Sequence, residues 1–209
     1  MKFNSILLPL LTSAAVFIIG CGPDKEPTSA ATPKEVASAT KTPTNPPAPP
    51  SATVASASVH QGTIRIKAGP GAPKDSSGNQ WLEEQGFGGG DVIDRPDVVI
   101  TNTPDAAIYR SEHYAMDSFT YHVPNGKYQV KLHFCETYEG IAGPGERVFS
   151  FTVEDKSFKD FDVWAKAGGG GRAYVETVNV DITDGQLDIK FTPQVENPEI
   201  NGIEISPVK

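Results

Sequence analysis

Three of the six tyrosines in this chain stand beside carboxylates at the edges of segments with strand-like patterning. Tyr109 and Tyr114 flank Arg110-Ser-Glu-His113 just before one such segment. Tyr138 follows another, with Glu136 and Glu139 on either side. A phenol ring stacks on an apolar C–H face and its hydroxyl exchanges hydrogen bonds, while a carboxylate accepts from two neighbouring hydroxyls at once. Together these groups suit a polyhydroxylated ring, that is, a sugar. A single tyrosine at such a place is more often a buried structural ring. Three in loops at strand ends favour binding.

Signatures of catalysis are sparse. No Gly-x-Ser-x-Gly, no His-Glu-x-x-His and no Cys/His cluster occurs, and His60, His113, His122 and His133 are scattered. His133 falls on the polar side of its segment, which predicts a solvated ring. Glu112, Glu136 and Glu139 offer carboxylate pairs of the kind a glycosidase uses, but an acidic chain contains many such pairs by chance. Asp91, Asp94 and Asp97 recur every third residue beside glycines, which does not match the alternate-residue ligands of an EF-type calcium loop and predicts a solvated acidic loop. Cys135, directly after Phe134, reads as a buried, inert thiol. No metal, cofactor or catalytic residue is assigned.

The elements that must position these groups are short and alternating. In the segment 127–134, Tyr128, Val130, Leu132 and Phe134 share one face, and Lys127, Gln129, Lys131 and His133 the other, as in a half-buried antiparallel strand. Residues 63–68, 118–123, 147–153, 174–182, 187–191 and 200–205 read the same way. Turn signals separate them at Pro124-Asn125-Gly126, Asp184-Gly185 and Asn201-Gly202. The first of these turns predicts a hairpin of 118–123 with 127–134, placing Tyr114 and Tyr138 at one rim opposite the turn, where Glu196 could join them. Glycines gather at 86–90 and 168–171 and read as two loops, the second a plain mobile connection. Neither precedes a helix, which excludes a phosphate-cradling site. No window holds a sustained apolar stripe at helical spacing, so the expected fold is all-β, an antiparallel sandwich of jelly-roll type, in one domain over residues 59–209.

The 209 residues carry 18 basic and 26 acidic side chains, a net charge of −8, and only two cysteines. Such a chain presents no broad cationic surface to nucleic acid, and two cysteines make neither a disulfide framework nor a zinc cluster. Residues 1–20 read as an export signal: Lys2, then a mostly apolar stretch too short to span a membrane, which takes about 20 residues. The stretch ends Ile18-Ile19-Gly20-Cys21, which resembles the lipobox of bacterial lipoproteins. That resemblance implies cleavage before Cys21 and a diacylglycerol on its sulfur. Gly22 rather than Asp follows, favouring an outer membrane or cell surface over inner-membrane retention. Residues 21–58 hold eight prolines, no aromatic and balanced charge. This predicts a disordered tether, roughly 115 Å long if fully polyproline and about 33 Å as a coil.

From residue 62 to 206 the chain resembles the malectin domain, a carbohydrate-binding β-sandwich. Eight blocks carry the likeness in order. They are Ile64-Arg-Ile-Lys-Ala-Gly69, Ile108-Tyr-Arg-Ser-Glu-His-Tyr114, Phe119-Thr-Tyr-His-Val-Pro124 and the stretch from Gly126 to Tyr138. Glu146-Arg-Val-Phe149 and Phe161-Asp-Val163 with Asp184-Gly-Gln-Leu187 follow, and Asn197-Pro-Glu-Ile-Asn-Gly-Ile-Glu-Ile205 closes the set. The resemblance implies a galactose-binding-like jelly roll that binds glucose-type oligosaccharides through exposed aromatics and one acid. It carries sugar contacts onto Tyr114, Tyr138 and Glu196. Glu139 stands where the family has a further aromatic, and the family's tyrosine in the first glycine-rich stretch has no counterpart, with Phe87, Val92 and Asp94 nearby.

The expected protein is thus a non-catalytic, glycan-binding lipoprotein of the cell envelope. Its site is drawn from Tyr109, Tyr114, Tyr138, Glu139 and Glu196, and its membrane anchor sits on Cys21. Two rivals use the same sandwich: an adhesion or assembly module that binds protein, and a glycan-cleaving enzyme.

Overall fold

A computed structural model describes residues 62–209; the expected export signal, Cys21 and the expected tether lie outside the described residues. Ten strands follow in chain order: β1 (Ile64–Lys67), β2 (Phe87–Asp94), β3 (Ser111–His122), β4 (Gly126–Phe134), β5 (Val148–Val153), β6 (Lys156–Phe161), β7 (Tyr174–Ile182), β8 (Gln186–Val195), β9 (Glu199–Ile200) and β10 (Gly202–Pro207). Two helices of a single turn, α1 (Ala106–Tyr109) and α2 (Val163–Ala167), interrupt them. All pairings between strands are antiparallel. One sheet runs β1-β10-β4-β7. The other runs β2-β3-β8-β5-β6, with β9 added on β3. This is the expected all-β sandwich.

Alternation explains the layers. The apolar face of β4, Tyr128 to Phe134, is buried, as are Val178, Val180 and Ile182 of β7 and Leu187, Ile189 and Phe191 of β8. Phe134 meets Phe149, Phe151 and Phe161 with ring centroids 4.9–6.2 Å apart. Burying each such ring contributes about 1.5–3 kcal/mol.

Three expectations fail on connectivity. Residues 118–123 and 127–134 are not hairpin partners. β3 pairs with β2, β8 and β9, whereas β4 pairs with β7 and β10, so the turn at Asn125-Gly126 carries the chain from one sheet to the other. Local turn chemistry sets a reversal but not which sheet receives the next strand. The segment 200–205 is likewise two strands, split at Asn201. That residue is fully buried, and its Nδ2 donates to the carbonyls of Tyr109 (3.2 Å) and Ser111 (2.9 Å) while its own carbonyl accepts from Ala68 N (2.9 Å). Its amide takes over hydrogen bonds where the backbone leaves one ladder for the other. Finally, the glycines at 86–90 are not a loop: Phe87–Gly90 begin β2.

Candidate functional site

Glycine in β2 serves close approach. Gly90 sits at φ +76°, and a Cβ there would collide with the Tyr114 carbonyl of β3. Only glycine lets the two backbones pass at this point. Across that pairing, Ile93 lies opposite Glu112 and Asp91 opposite Tyr114. Glu112 and Tyr114, two residues apart, share a face of β3.

That face forms one wall of a cavity of about 270 Å³, which Tyr114, Tyr138, Glu196 and Asn197 line together with Ile93, Arg95, Glu112 and Arg147. Tyr138 is 45% exposed. Its ring lies over Gly140, where a Cβ would be 2.5 Å from Cε1, and the Arg95 guanidinium sits 5.8 Å from its centroid. Glu196 holds a left-handed backbone at φ +59°, and its Oε2 accepts from Asn197 N at 3.1 Å. A second cleft of about 840 Å³ shares Ile93, Arg95 and Tyr138 with the first and continues past Glu139, Asp97 and Trp164.

Beneath both lies buried charge. Arg147 Nε donates to Glu136 Oε2 at 2.6 Å and its Nη1 to the Asn197 carbonyl. Arg95 Nη1 pairs with Glu112 Oε1 at 2.8 Å, and Thr137 donates its hydroxyl to Glu112 Oε2 at 2.7 Å. Glu136 Oε1 also accepts from Tyr138 N at 2.9 Å, so the Arg147–Glu136 pair fixes the backbone that carries the Tyr138 ring. Glu199 is fully buried, and neither of its oxygens has a hydrogen-bond partner among the described residues. Burial, then the nearby Glu112 and Glu136 charges, hold its carboxyl well above the usual range against the opposing pull of Arg147 and Arg95. Burial and the same three glutamates push the Cys135 thiol up, as an inert thiol requires.

Of the expected sugar contacts, Tyr114, Tyr138 and Glu196 meet at one cavity, and Glu139 lines the adjoining cleft. Tyr109 is corrected. It is 3% exposed, packs with Trp81, Ile108 and Cys135, and its hydroxyl lies 2.7 Å from His133 Nδ1, because α1 turns it inward. His133 is corrected with it: the ring is buried edge-on against Trp81 at 5.2 Å, with Nε2 3.0 Å from Glu204 Oε1. Glu112 and Glu136 are buried in ion pairs rather than free. Among the described residues no group of three His, Cys, Asp or Glu side chains could hold a metal ion. Arg95, Arg147 and Trp164 escaped the sequence reading. The partners of the two arginines lie 11–50 residues away, and no periodicity marks such pairs.

Comparison with known proteins agrees with this architecture. Malectin-B of Xenopus laevis is 30% identical over 97 residues, covering 44% of this chain and 34% of that protein. The chain therefore spans about a third of the relative's length. Among solved structures, a Bacteroides uniformis β-glucuronidase superposes with a TM-score of 0.64 at 18% identity, over 70% of this chain and 18% of that one. The plant receptor-like kinase FER superposes at 0.63 and 19% identity, over 70% and 49%. At such identities these two speak for the fold. The family model described as "Malectin domain" matches residues 63–203, and the chain belongs to that family.

Proposed function

We propose that this protein is a non-catalytic module that binds glucose-type oligosaccharides and is held at a bacterial cell envelope, at the outer membrane or cell surface, by lipid on Cys21. The observation that carries the reading is the convergence of Tyr114, Tyr138 and Glu196 on one cavity in a malectin domain. The two rings offer stacking surfaces for the C–H faces of pyranoses, and Glu196 accepts from vicinal hydroxyls. The described domain and its flank from residue 59 carry 23 acids against 14 bases, which favours a neutral glycan over an anionic one. The glutamates nearest the cavity floor are engaged by arginines, so they do not form the free acid and base that glycoside cleavage needs.

A glycan array on the full chain in detergent tests this. Retention of neutral gluco-oligosaccharides without release of shortened products is the expected result. Cleavage would favour the enzyme, and an empty array the protein-binding module. The anchor has its own test. Cys21→Ser should move the protein from the membrane fraction to the soluble one or leave it unprocessed, since a diacylglycerol supplies the two chains stable anchoring takes. Unchanged fractionation and unchanged mass would defeat it.

A further inference from the structure

We propose that Trp164 and the glycine run at residues 168–171 form a second sugar subsite beside the Tyr114–Tyr138 cavity, so that a linear gluco-oligosaccharide lies across both. The inference rests on the sugar-binding reading above and extends it from one cavity to a continuous cleft.

The glycine run is not a slack connection. Asp162 Oδ1 caps α2 by accepting from Ala165 N at 2.9 Å, and Gly168, left-handed at φ +77°, closes the helix by donating to the Trp164 carbonyl at 2.9 Å. At the far end, Gly171 N donates to the Glu136 carbonyl at 2.8 Å, and the Gly171 carbonyl accepts from Thr101 N at 2.8 Å. A Cβ on Gly171 would stand 2.8 Å from the Val99 carbonyl. The run is therefore pinned to the same segment, Glu136 to Tyr138, that carries the first stacking ring.

Between those pins the Trp164 ring lies against Gly170, where a Cβ would be 2.7 Å from Cζ3. Trp164 is half-buried and belongs to neither buried apolar cluster of the domain. It lines the larger cleft instead, with Asp97 and Glu139 as hydroxyl acceptors and Tyr138 shared with the smaller cavity. Two aromatic rings, each backed by a glycine and joined through one shared wall, make an extended site. A longer glycan gains contact on Trp164 that a disaccharide in the smaller cavity does not reach.

The test is titration calorimetry on the full chain in detergent with gluco-oligosaccharides from disaccharide to hexasaccharide, α- and β-linked. Affinity should rise with length in the parent. Trp164→Ala should weaken hexasaccharide binding roughly five- to thirtyfold while changing disaccharide binding less than about twofold. Gly170→Ala, which keeps the indole but displaces the ring, should show the same length-dependent loss and decides the matter if Trp164→Ala melts early. If both variants bind the hexasaccharide as the parent does while Tyr114→Ala does not, the second subsite is wrong and the first cavity stands. If the parent binds no gluco-oligosaccharide of any length, the sugar-binding reading falls and takes this inference with it.

Discussion

Arg147→Leu should cost about 3–5 kcal/mol of folding stability, the range for removing one partner of a buried ion pair. The guanidinium is 4% exposed and its partner Glu136 not at all. Without it the Glu136 carboxyl is left without its cation in a site closed to water, Glu199 loses the first of the two cations that oppose its neighbours, and the Asn197 carbonyl loses its donor. Because Glu136 also holds Tyr138 N, any folded fraction should bind glycan poorly. Arg147→Lys keeps the charge but not the fork, and should recover only part of the loss. Urea denaturation reads the change. A loss under about 1 kcal/mol for Arg147→Leu would mean that water already reaches this pair.

The second large effect is on pH dependence. The Glu199 carboxyl is raised in the folded state by burial and then by Glu112 and Glu136, so between its ordinary and its folded value the native protein holds a proton that the unfolded chain has released. Stability from this source is complete below the unfolded value near 4.5 and is lost as pH rises through the folded one. Glu199→Gln removes the titration at nearly constant shape. It should flatten the stability profile on the alkaline side of pH 4.5 and make the variant the more stable of the two at the alkaline end. The groups around this carboxyl are Glu112, Glu136, Arg95 and Arg147, with the Cys135 thiol nearby. Thermal melts across that range decide it, and parallel profiles for parent and variant would show Glu199 ionised and paired with the arginines.

Much of the sandwich was legible because half-buried strands must alternate. The segment 174–182 is a strand over those residues, and 127–134 differs from β4 by one residue. Two strands were not legible. β2 opens with four residues of which three are glycine, and glycine's role there is close approach to β3 rather than flexibility. β6, Lys-Ser-Phe-Lys-Asp-Phe, is largely exposed and shows charge where a strand pattern shows apolar residues. Turn signals misled for a related reason. Pro124-Asn125-Gly126 and Asn201-Gly202 both mark places where the chain changes sheets, and a reversal reads the same whether or not its arms pair. At the site, Tyr114 and Tyr138 did come to one cavity, though not through the hairpin that suggested it. Tyr109 has the same residue type and flank as Tyr114, but one turn of helix directs it into the core. The arginine–glutamate floor depends on contacts distant in sequence, and the Trp164 platform is visible only once Gly170 is seen beneath the ring.

The most direct measurement of the central claim is the affinity of the full chain for its best gluco-oligosaccharide, set beside Tyr114→Ala and Tyr138→Ala with folding monitored by circular dichroism. Each loss of a stacking ring should weaken binding by on the order of 1–2 kcal/mol, roughly five- to thirtyfold, with the melting temperature little changed. Parent-like affinity in both variants, or unfolding of both, would make these tyrosines structural and contradict the site.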